Sequence, residues 1–186
     1  MPSGRTHDSI TLWCLPIVTG ATWFYTNSAP LAIVVAGSYL FAGLMFGPDL
    51  DIYSHQYKRW GWLRWLWLPY RKLFRHRSVY SHGFLIGTIV RLLYVSSLML
   101  VASSFGILGW AIALQIQGVM NWDQAALPLT TGLLQPIAQS IQVHWQVWLA
   151  AGFGLETGAM SHSVSDAIGS WIKRRKRKKS ARSNSR

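Results

Sequence analysis

Forty consecutive residues without a charged side chain, from Ser9 to Pro48, constrain this chain more than any other feature. One membrane helix needs about 20 apolar residues, so this run is long enough for two crossings. Asn27 to Pro30 divide it near the middle with residues that favour a turn. Hydrophobic residues make up 51% of the chain and charged residues only 13%. We therefore predict a membrane protein that begins with two antiparallel helices.

Two further apolar runs predict a third and a fourth crossing, and hence an all-α, polytopic bundle of about four transmembrane helices. Gly83 to Asn121 has Arg91 as its only charged residue. Either Arg91 snorkels or faces a polar cavity near the start of the helix, or the span begins at Leu92. The run from about 137 to 160 is the weaker candidate, because polar residues occupy its start. We expect a loop over 121–123 and 128–136.

Basic residues are concentrated in two places, which account for most of the net charge of +12. Trp and Tyr alternate with Lys and Arg through Lys58–Arg77, which predicts an interfacial helix broken at Pro69. We predict that the segment 173–186, which is basic, is a disordered tail that follows a membrane-embedded domain over 1–172. Both should lie in the cytoplasm and contact anionic lipid headgroups. Stacking on single-stranded nucleic acid is the less favoured alternative for the same composition.

Histidine and aspartate residues mark the ends of the predicted helices. Four crossings place nearly all of them at the cytoplasmic face, which predicts a metal site built from His7, Asp49, Asp51, His76, His82, His162 and Asp166. His162 and Asp166 are four residues apart and would share a helix face. His76 and His82 are six apart, so the chain must bend between them if both bind. Imidazole and carboxylate ligands indicate Zn first, with Mn or Fe as alternatives, and one or two ions.

Five segments carry a family resemblance over about residues 4–170: GRTHD (4–8), GPDLD (47–51), RWGWLRWLWLPYRKL (59–73), HRSVYSHG (76–83) and SHSVSD (161–166). They resemble a family of uncharacterised bacterial membrane proteins described as metal-binding. More distantly, they are similar to LexA-regulated, inner-membrane, metal-dependent hydrolases. The resemblance implies a multi-pass protein of the bacterial inner membrane, with the same seven residues as ligands.

Two functions are compatible with these observations. In the first, the protein is a metal-dependent hydrolase of a phosphoester or lipid-like substrate. Asp51 or Glu156 would then accept a proton, and Arg77 or Arg91 would offset charge on a phosphoryl oxygen. In the second, the ion is structural or sensed and the protein is not an enzyme. The sequence leaves the substrate, the metal and the oligomeric state undetermined.

Overall fold

The computed structural model describes residues 4–76 and 78–183, and within these ranges it is entirely helical, as predicted. The described residues form eight α-helices, two 3-10 helices and no strand. The α-helices are α1 (Gly4–Thr26), α2 (Ala29–Leu44), α3 (His55–Arg59), α4 (Leu68–Leu73), α5 (Val79–His82), α6 (Ile86–Ile116), α7 (Trp122–Val143) and α8 (Trp145–Ser183). The 3-10 helices are Pro48–Asp51 and Gly61–Trp67.

The chain separates into two compact units. The first contains the described residues up to Arg91 together with those from Leu149 onward, and the second contains residues 92–148. Every one of the seven predicted metal ligands belongs to the first unit. Helix α8 continues to Ser183, so the backbone of most of the basic tail is helical where it is described. The predicted boundary at residue 172 and the cytoplasmic position of the tail stay predictions.

Helices α1 and α2 form the predicted hairpin. Asn27 has a positive φ of 48°, which turns the chain, and the side chain of Ser28 accepts a hydrogen bond from the Leu31 N–H at the start of α2. Further along the hairpin, a Cβ on Gly43 would collide with the side chain of Thr11. The two backbones therefore approach closely near the end of α2, which places the start of α1 beside the segment that follows α2.

Helix α8 packs on α2 of the same hairpin through two glycines. Gly154 and Gly158 are four residues apart, and a Cβ on either one would collide with backbone atoms of α2. Small residues at this spacing let two helices pack closely, which is common in membrane bundles. Because His162 lies one turn beyond Gly158, this packing brings it to the end of α2.

The segment after α2 folds back and satisfies the last carbonyl groups of that helix. Gln56 Nε2 donates to the Gly43 carbonyl at 2.9 Å, and Trp60 Nε1 donates to the Met45 carbonyl at 2.9 Å. The sequence predicted an interfacial helix broken at Pro69, whereas the segment forms three short helices. Pro69 lies in the first turn of α4 instead of breaking a helix, which suits its fixed φ and missing N–H. Trp67 is buried in the core, whereas the sequence pattern predicted it at the lipid interface.

Two helical segments, Ala29–Asp51 and Ile86–Ile116, are long and apolar enough to cross a membrane. The structure therefore supports two of the four predicted crossings. Helix α1 is not among these membrane-spanning candidates, because its Thr, Trp and Tyr side chains lower its mean hydropathy. The predicted fourth crossing is interrupted: residues 137–143 end α7, and α8 starts at Trp145 after a break at His144.

In the second unit, α7 runs through the segment that the sequence predicted as a loop. Pro128 and Pro136 both lie inside this helix, flanked by Leu, Ala and Gln residues, which have high helix propensity. Asn121, also predicted in a loop, precedes the first residue of α7. The apolar side chains of α6 in this unit, including Leu93, Leu100 and Phe105, are largely exposed.

Candidate metal centre

Five elements of the first unit bring the seven predicted ligands together. They supply His7 from the start of α1, Asp49 and Asp51 from the 3-10 helix after α2, His76 from the turn between α4 and α5, His82 from the end of α5, and His162 and Asp166 from α8. The chain bends between His76 and His82, as their spacing predicted, because α4 ends at Leu73 and α5 begins only at Val79. These side chains form two groups of three that could each hold a cation.

The first group consists of His7, His162 and Asp166, which we call the closed triad because all three residues are buried. His7 Nε2 lies 3.3 Å from Asp166 Oδ1, and the rings of His7 and His162 stack with 3.9 Å between their centroids. The ligand atoms of the triad lie within 4.8 Å of one another. The four-residue spacing of His162 and Asp166 places them on one face of α8, as predicted.

The hydroxyl of Ser165 determines which nitrogen of His7 carries the proton. Ser165 Oγ donates its single proton to the carbonyl of His162 at 2.8 Å, since a carbonyl can only accept. The same oxygen lies 2.6 Å from His7 Nδ1 and must therefore accept a proton from it. A neutral His7 then presents the lone pair of Nε2 to a carboxylate oxygen of Asp166. Two acceptors that face each other in a buried site are satisfied by a proton or by a metal ion between them.

The second group consists of Asp49, His76 and His82, which we call the open triad because His76 is exposed and the other two are partly so. His82 Nε2 lies 3.5 Å from Asp49 Oδ1, and the rings of His76 and His82 are 5.1 Å apart. Asp51 supports this group: its Oδ1 accepts a hydrogen bond from His76 Nδ1 at 3.0 Å. Ser81 Oγ lies 3.0 Å from His82 Nδ1. Each histidine therefore has an oxygen beside Nδ1, which leaves Nε2 available to an ion.

Asp49 connects the two triads. Its Oδ2 lies 3.1 Å from His162 Nε2 of the closed triad, while its Oδ1 faces His82 of the open triad. Neither contact is a hydrogen bond, since Asp49 Oδ1 and the Nε2 atoms of His82 and His162 are buried atoms without a hydrogen-bond partner. Ligand atoms of a tetrahedral site with bonds of about 2.05 Å lie about 3.3 Å apart. The observed separations match that value.

Buried polar atoms without hydrogen-bond partners are the strongest indication that these residues could bind a cation. Asp51 Oδ2, Asp166 Oδ1 and both ring nitrogens of His162 also have no hydrogen-bond partner. Leaving one buried polar atom unpaired costs about 1–3 kcal/mol, so a cluster of them is costly unless an ion binds. Burial lowers the pKa of His7, and the neighbouring His162 lowers it further, although Asp166 acts in the opposite direction. Imidazole binds a metal in the neutral form that this shift favours.

Two of the predicted catalytic side chains belong to described residues, and neither belongs to a triad. Asp51 is fully buried and holds His76, as described above. Glu156 lies on α8, where its Oε1 accepts the backbone N–H of Leu85 at 2.9 Å and its Oε2 has no partner. Arg77 lies outside the described residues. Arg91 is 1% exposed and lines a cavity, so the polar-cavity alternative holds for it.

Three residues near the ligands were missed by the sequence analysis. Ser165 and Ser81 contact His7 and His82, and His55 lines a cavity of about 20 Å³ together with His7, Asp49 and His162. A serine beside an aspartate in SHSVSD, or beside a histidine in VYSHG, is a weak signal on its own. Ser165 and His7 are 158 residues apart, so only the fold shows that they meet.

The chain is all-α, and several buried nitrogen and oxygen atoms of its histidine and aspartate side chains lie close together without hydrogen-bond partners. These features are typical of metal-binding proteins. The chain belongs to the family described as uncharacterized metal-binding proteins (DUF2227), which matches residues 2–176. It is also 38% identical over 58 residues to an uncharacterized protein of Aquifex aeolicus (strain VF5). That alignment covers 31% of this chain and 40% of the relative. No solved structure matches the chain.

Proposed function

We propose that this protein is a membrane-bound, metal-dependent hydrolase of phosphoesters, with its catalytic ion at the open triad. The observation that carries the proposal is the pair of buried ligand atoms without hydrogen bonds in this triad, Asp49 Oδ1 and His82 Nε2, which lie 3.5 Å apart. Because His76 has a side chain that is 30% exposed, the open triad has room for a substrate beside its ligands. The donor set favours Zn, with Mn or Fe as alternatives.

When bound, a divalent ion lowers the pKa of a coordinated water toward neutrality and polarises a phosphoryl oxygen. The protein residues would supply the other requirements of hydrolysis. Asp51 holds His76 in one orientation through the 3.0 Å hydrogen bond, so its role is to position a ligand. Glu156 has an unpaired Oε2 at the cavity beside His82, which makes it the better placed acceptor for a proton from the attacking water.

The exposure of the apolar helices supports a membrane location. In the most apolar stretch of Ile86–Ile116 only 6% of the residues are buried, whereas the core helix of a soluble protein would be mostly buried. Trp62 and Trp65 are also exposed, next to Lys58 and Arg64, which suits anionic lipid headgroups. We place the protein in the bacterial inner membrane, with the metal centre, the basic loop and the tail on the cytoplasmic side.

The closed triad favours a second function for its own ion. His7, His162 and Asp166 are each less than one tenth exposed, and a site without an open position is typical of structural ions. If both triads were structural or sensing, metal removal would lower thermal stability and no hydrolytic activity would exist to be lost. The two proposed functions therefore differ in whether the ion at the open triad is catalytic.

The test is to purify the protein in detergent, count its metal ions by elemental analysis and assay generic phosphodiesters and phosphomonoesters. His82→Ala should reduce hydrolysis at least about 100-fold, because loss of a ligand exceeds the usual effect of losing a residue that supports one. His162→Ala should lower the metal content and the melting temperature. His144→Ala is the matched control, since this exposed histidine lies in the second unit and outside both triads.

Metal content and activity together decide between the outcomes. Wild-type protein with bound metal but no activity on any phosphoester contradicts the hydrolase and supports a structural or sensing ion. Metal-free wild-type protein, unchanged by His82→Ala, contradicts the metal centre as well.

A further inference from the structure

The carboxylate of Asp49 faces both triads, with a different oxygen toward each. Oδ2 lies 3.1 Å from His162 Nε2 in the closed triad, and Oδ1 lies 3.5 Å from His82 Nε2 in the open triad. The side chain of Asp49 is 15% exposed, and its Oδ1 is a buried atom without a hydrogen-bond partner among the described residues. Both contacts therefore belong to one small, planar group that lies between the triads.

The backbone around Asp49 holds this side chain in place. The carbonyl of Asp49 accepts a hydrogen bond from Ser54 Oγ at 2.8 Å and another from the Ile52 N–H at 3.3 Å. Pro48, the residue before it, starts the 3-10 helix with the restricted φ of proline. A side chain on a turn fixed in this way is preorganised to bind, so its position between the triads does not depend on an ion to create it.

Asp49 Oδ2 gives the closed triad a fourth ligand. The other three are His7, His162 and Asp166, whose ligand atoms lie within 4.8 Å of one another. His162 is 3% exposed, and neither of its ring nitrogens has a hydrogen-bond partner among the described residues. Four nitrogen and oxygen ligands complete a tetrahedral shell, as is typical of structural ions.

Asp49 Oδ1 remains available to the open triad, where His76 and His82 are the other two ligands. Three protein ligands with one free position are typical of a catalytic ion. The six residues of the two triads are more than one four-coordinate ion can use. If Asp49 is shared, they divide into a set of four ligands and a set of three, and every one of the six residues has a role.

We propose that the two triads form one two-metal centre, in which the carboxylate of Asp49 bridges an ion at the closed triad and an ion at the open triad. The inference rests on the metal centre of the proposed function and goes beyond it, because it makes the two ions depend on a shared ligand. Pairs of ions about 3.5–4 Å apart are common in enzymes that cleave phosphoesters. Among the six triad residues, Asp49 is then the one whose loss should weaken both ions.

The first test is a Zn²⁺ titration of the full-length protein in detergent, after a chelator has removed its metal. Wild-type protein should bind two ions per chain. Asp49→Asn keeps the size of the side chain, but its amide nitrogen is a donor that cannot bind an ion. Both affinities should therefore fall at least about tenfold, since even the loss of a residue that supports a ligand has an effect of this size.

Three further variants show whether the effect of Asp49 is specific. Asp166→Asn should weaken the ion at the closed triad alone, and His76→Ala should weaken the ion at the open triad alone. Asp123→Asn makes the same chemical change at an exposed aspartate of the second unit and should weaken neither ion.

The second test detects the bridge in wild-type protein through the electron spins of Co²⁺, which takes nitrogen and oxygen ligands as Zn²⁺ does. Two Co²⁺ ions that share a carboxylate should couple magnetically. The EPR signal per ion should therefore be weaker and broader in wild-type protein than in His76→Ala, which keeps the ion at the closed triad. If Asp49→Asn does not fold, the number of ions in wild-type protein and these spectra decide the result.

The inference is overturned by a single ion per wild-type chain, by two ions whose EPR signals simply add, or by loss of only one ion in Asp49→Asn. Protein that hydrolyses phosphoesters with one ion, or with two uncoupled ions, retains the proposed function and loses the inference. A coupled pair of ions in a protein that hydrolyses no phosphoester supports the inference and contradicts the proposed function.

Discussion

At the scale of single residues, the direction of a few hydrogen bonds determines what the site can bind. Ser165 and Asp51 each accept a proton from Nδ1 of a histidine, which leaves Nε2 of His7 and His76 as the coordinating atom. The proton position is assigned by elimination, because a carbonyl and a carboxylate can only accept. Ser165 is therefore predicted to set the orientation and tautomer of His7 without touching the ion.

Ser165→Ala should lower metal affinity about 10- to 100-fold, as expected when the residue that supports a ligand is removed. His7 would lose the acceptor for its Nδ1 proton, so the tautomer with the proton on Nε2 would compete with metal binding. The measurement is a metal titration in competition with a chelator, with thermal unfolding recorded in parallel.

Ser97→Ala provides the matched control for this substitution. Ser97 also donates to a carbonyl three residues earlier, at 2.7 Å, but it is exposed and contacts no histidine. Its replacement should leave metal affinity unchanged. An equal loss in both variants would mean that the serine bond to the helix backbone, and not the contact with His7, is responsible.

At the scale of elements, the packing of α8 on α2 determines where His162 lies. Gly158→Ala should destabilise the protein by about 1–3 kcal/mol, the usual cost of overpacking, since the added Cβ would meet the Tyr39 carbonyl and Ala42. Because His162 follows one turn later, metal content should fall as well. Thermal unfolding in detergent and elemental analysis measure the two effects.

Gly152 lies on the same helix, and a Cβ there meets nothing within 4 Å. Gly152→Ala should therefore stabilise the protein by up to about 1 kcal/mol, the difference in helix propensity between the two residues. A Gly158→Ala protein as stable as wild type, with full metal content, would show that α8 does not depend on this close approach.

The sequence predicts which elements carry the ligands better than it predicts how those elements pack. The residues that meet in the two triads were predictable, because His and Asp are scarce here and lie at the ends of apolar runs. Which of these residues contact each other was not predictable, since contacts such as that of His7 with Asp166 depend on how helices distant in sequence pack. Only two of the four predicted crossings are supported, because uncharged polar residues such as Thr and Gln lower the hydropathy of the other two segments. Likewise, Trp67 belongs to the core because tertiary packing overrides the interfacial preference of tryptophan.

At the scale of the whole molecule, the exposed apolar surface requires an explanation. Helix α6 has 31 residues and a length of about 46 Å, which exceeds the apolar thickness of a bilayer of about 30 Å. Its exposed Leu, Val and Phe side chains form a surface that water would not solvate well. A bilayer around α6 is the simplest environment for this surface.

This membrane location can be tested with charges at two positions along α6. Leu100→Arg places a charge near the middle of the helix, where it should cost about 2.5–3.5 kcal/mol in a bilayer, and should reduce the amount of protein in the membrane fraction after an alkaline wash. Ile116→Arg places the same charge at the end of the helix, where the side chain can reach the interface, and should be tolerated. Both isoleucine and leucine are well exposed, so a change in internal packing cannot account for a difference between the variants. Release of the wild-type protein by the alkaline wash, or equal recovery of both variants in the membrane, would contradict a span through α6.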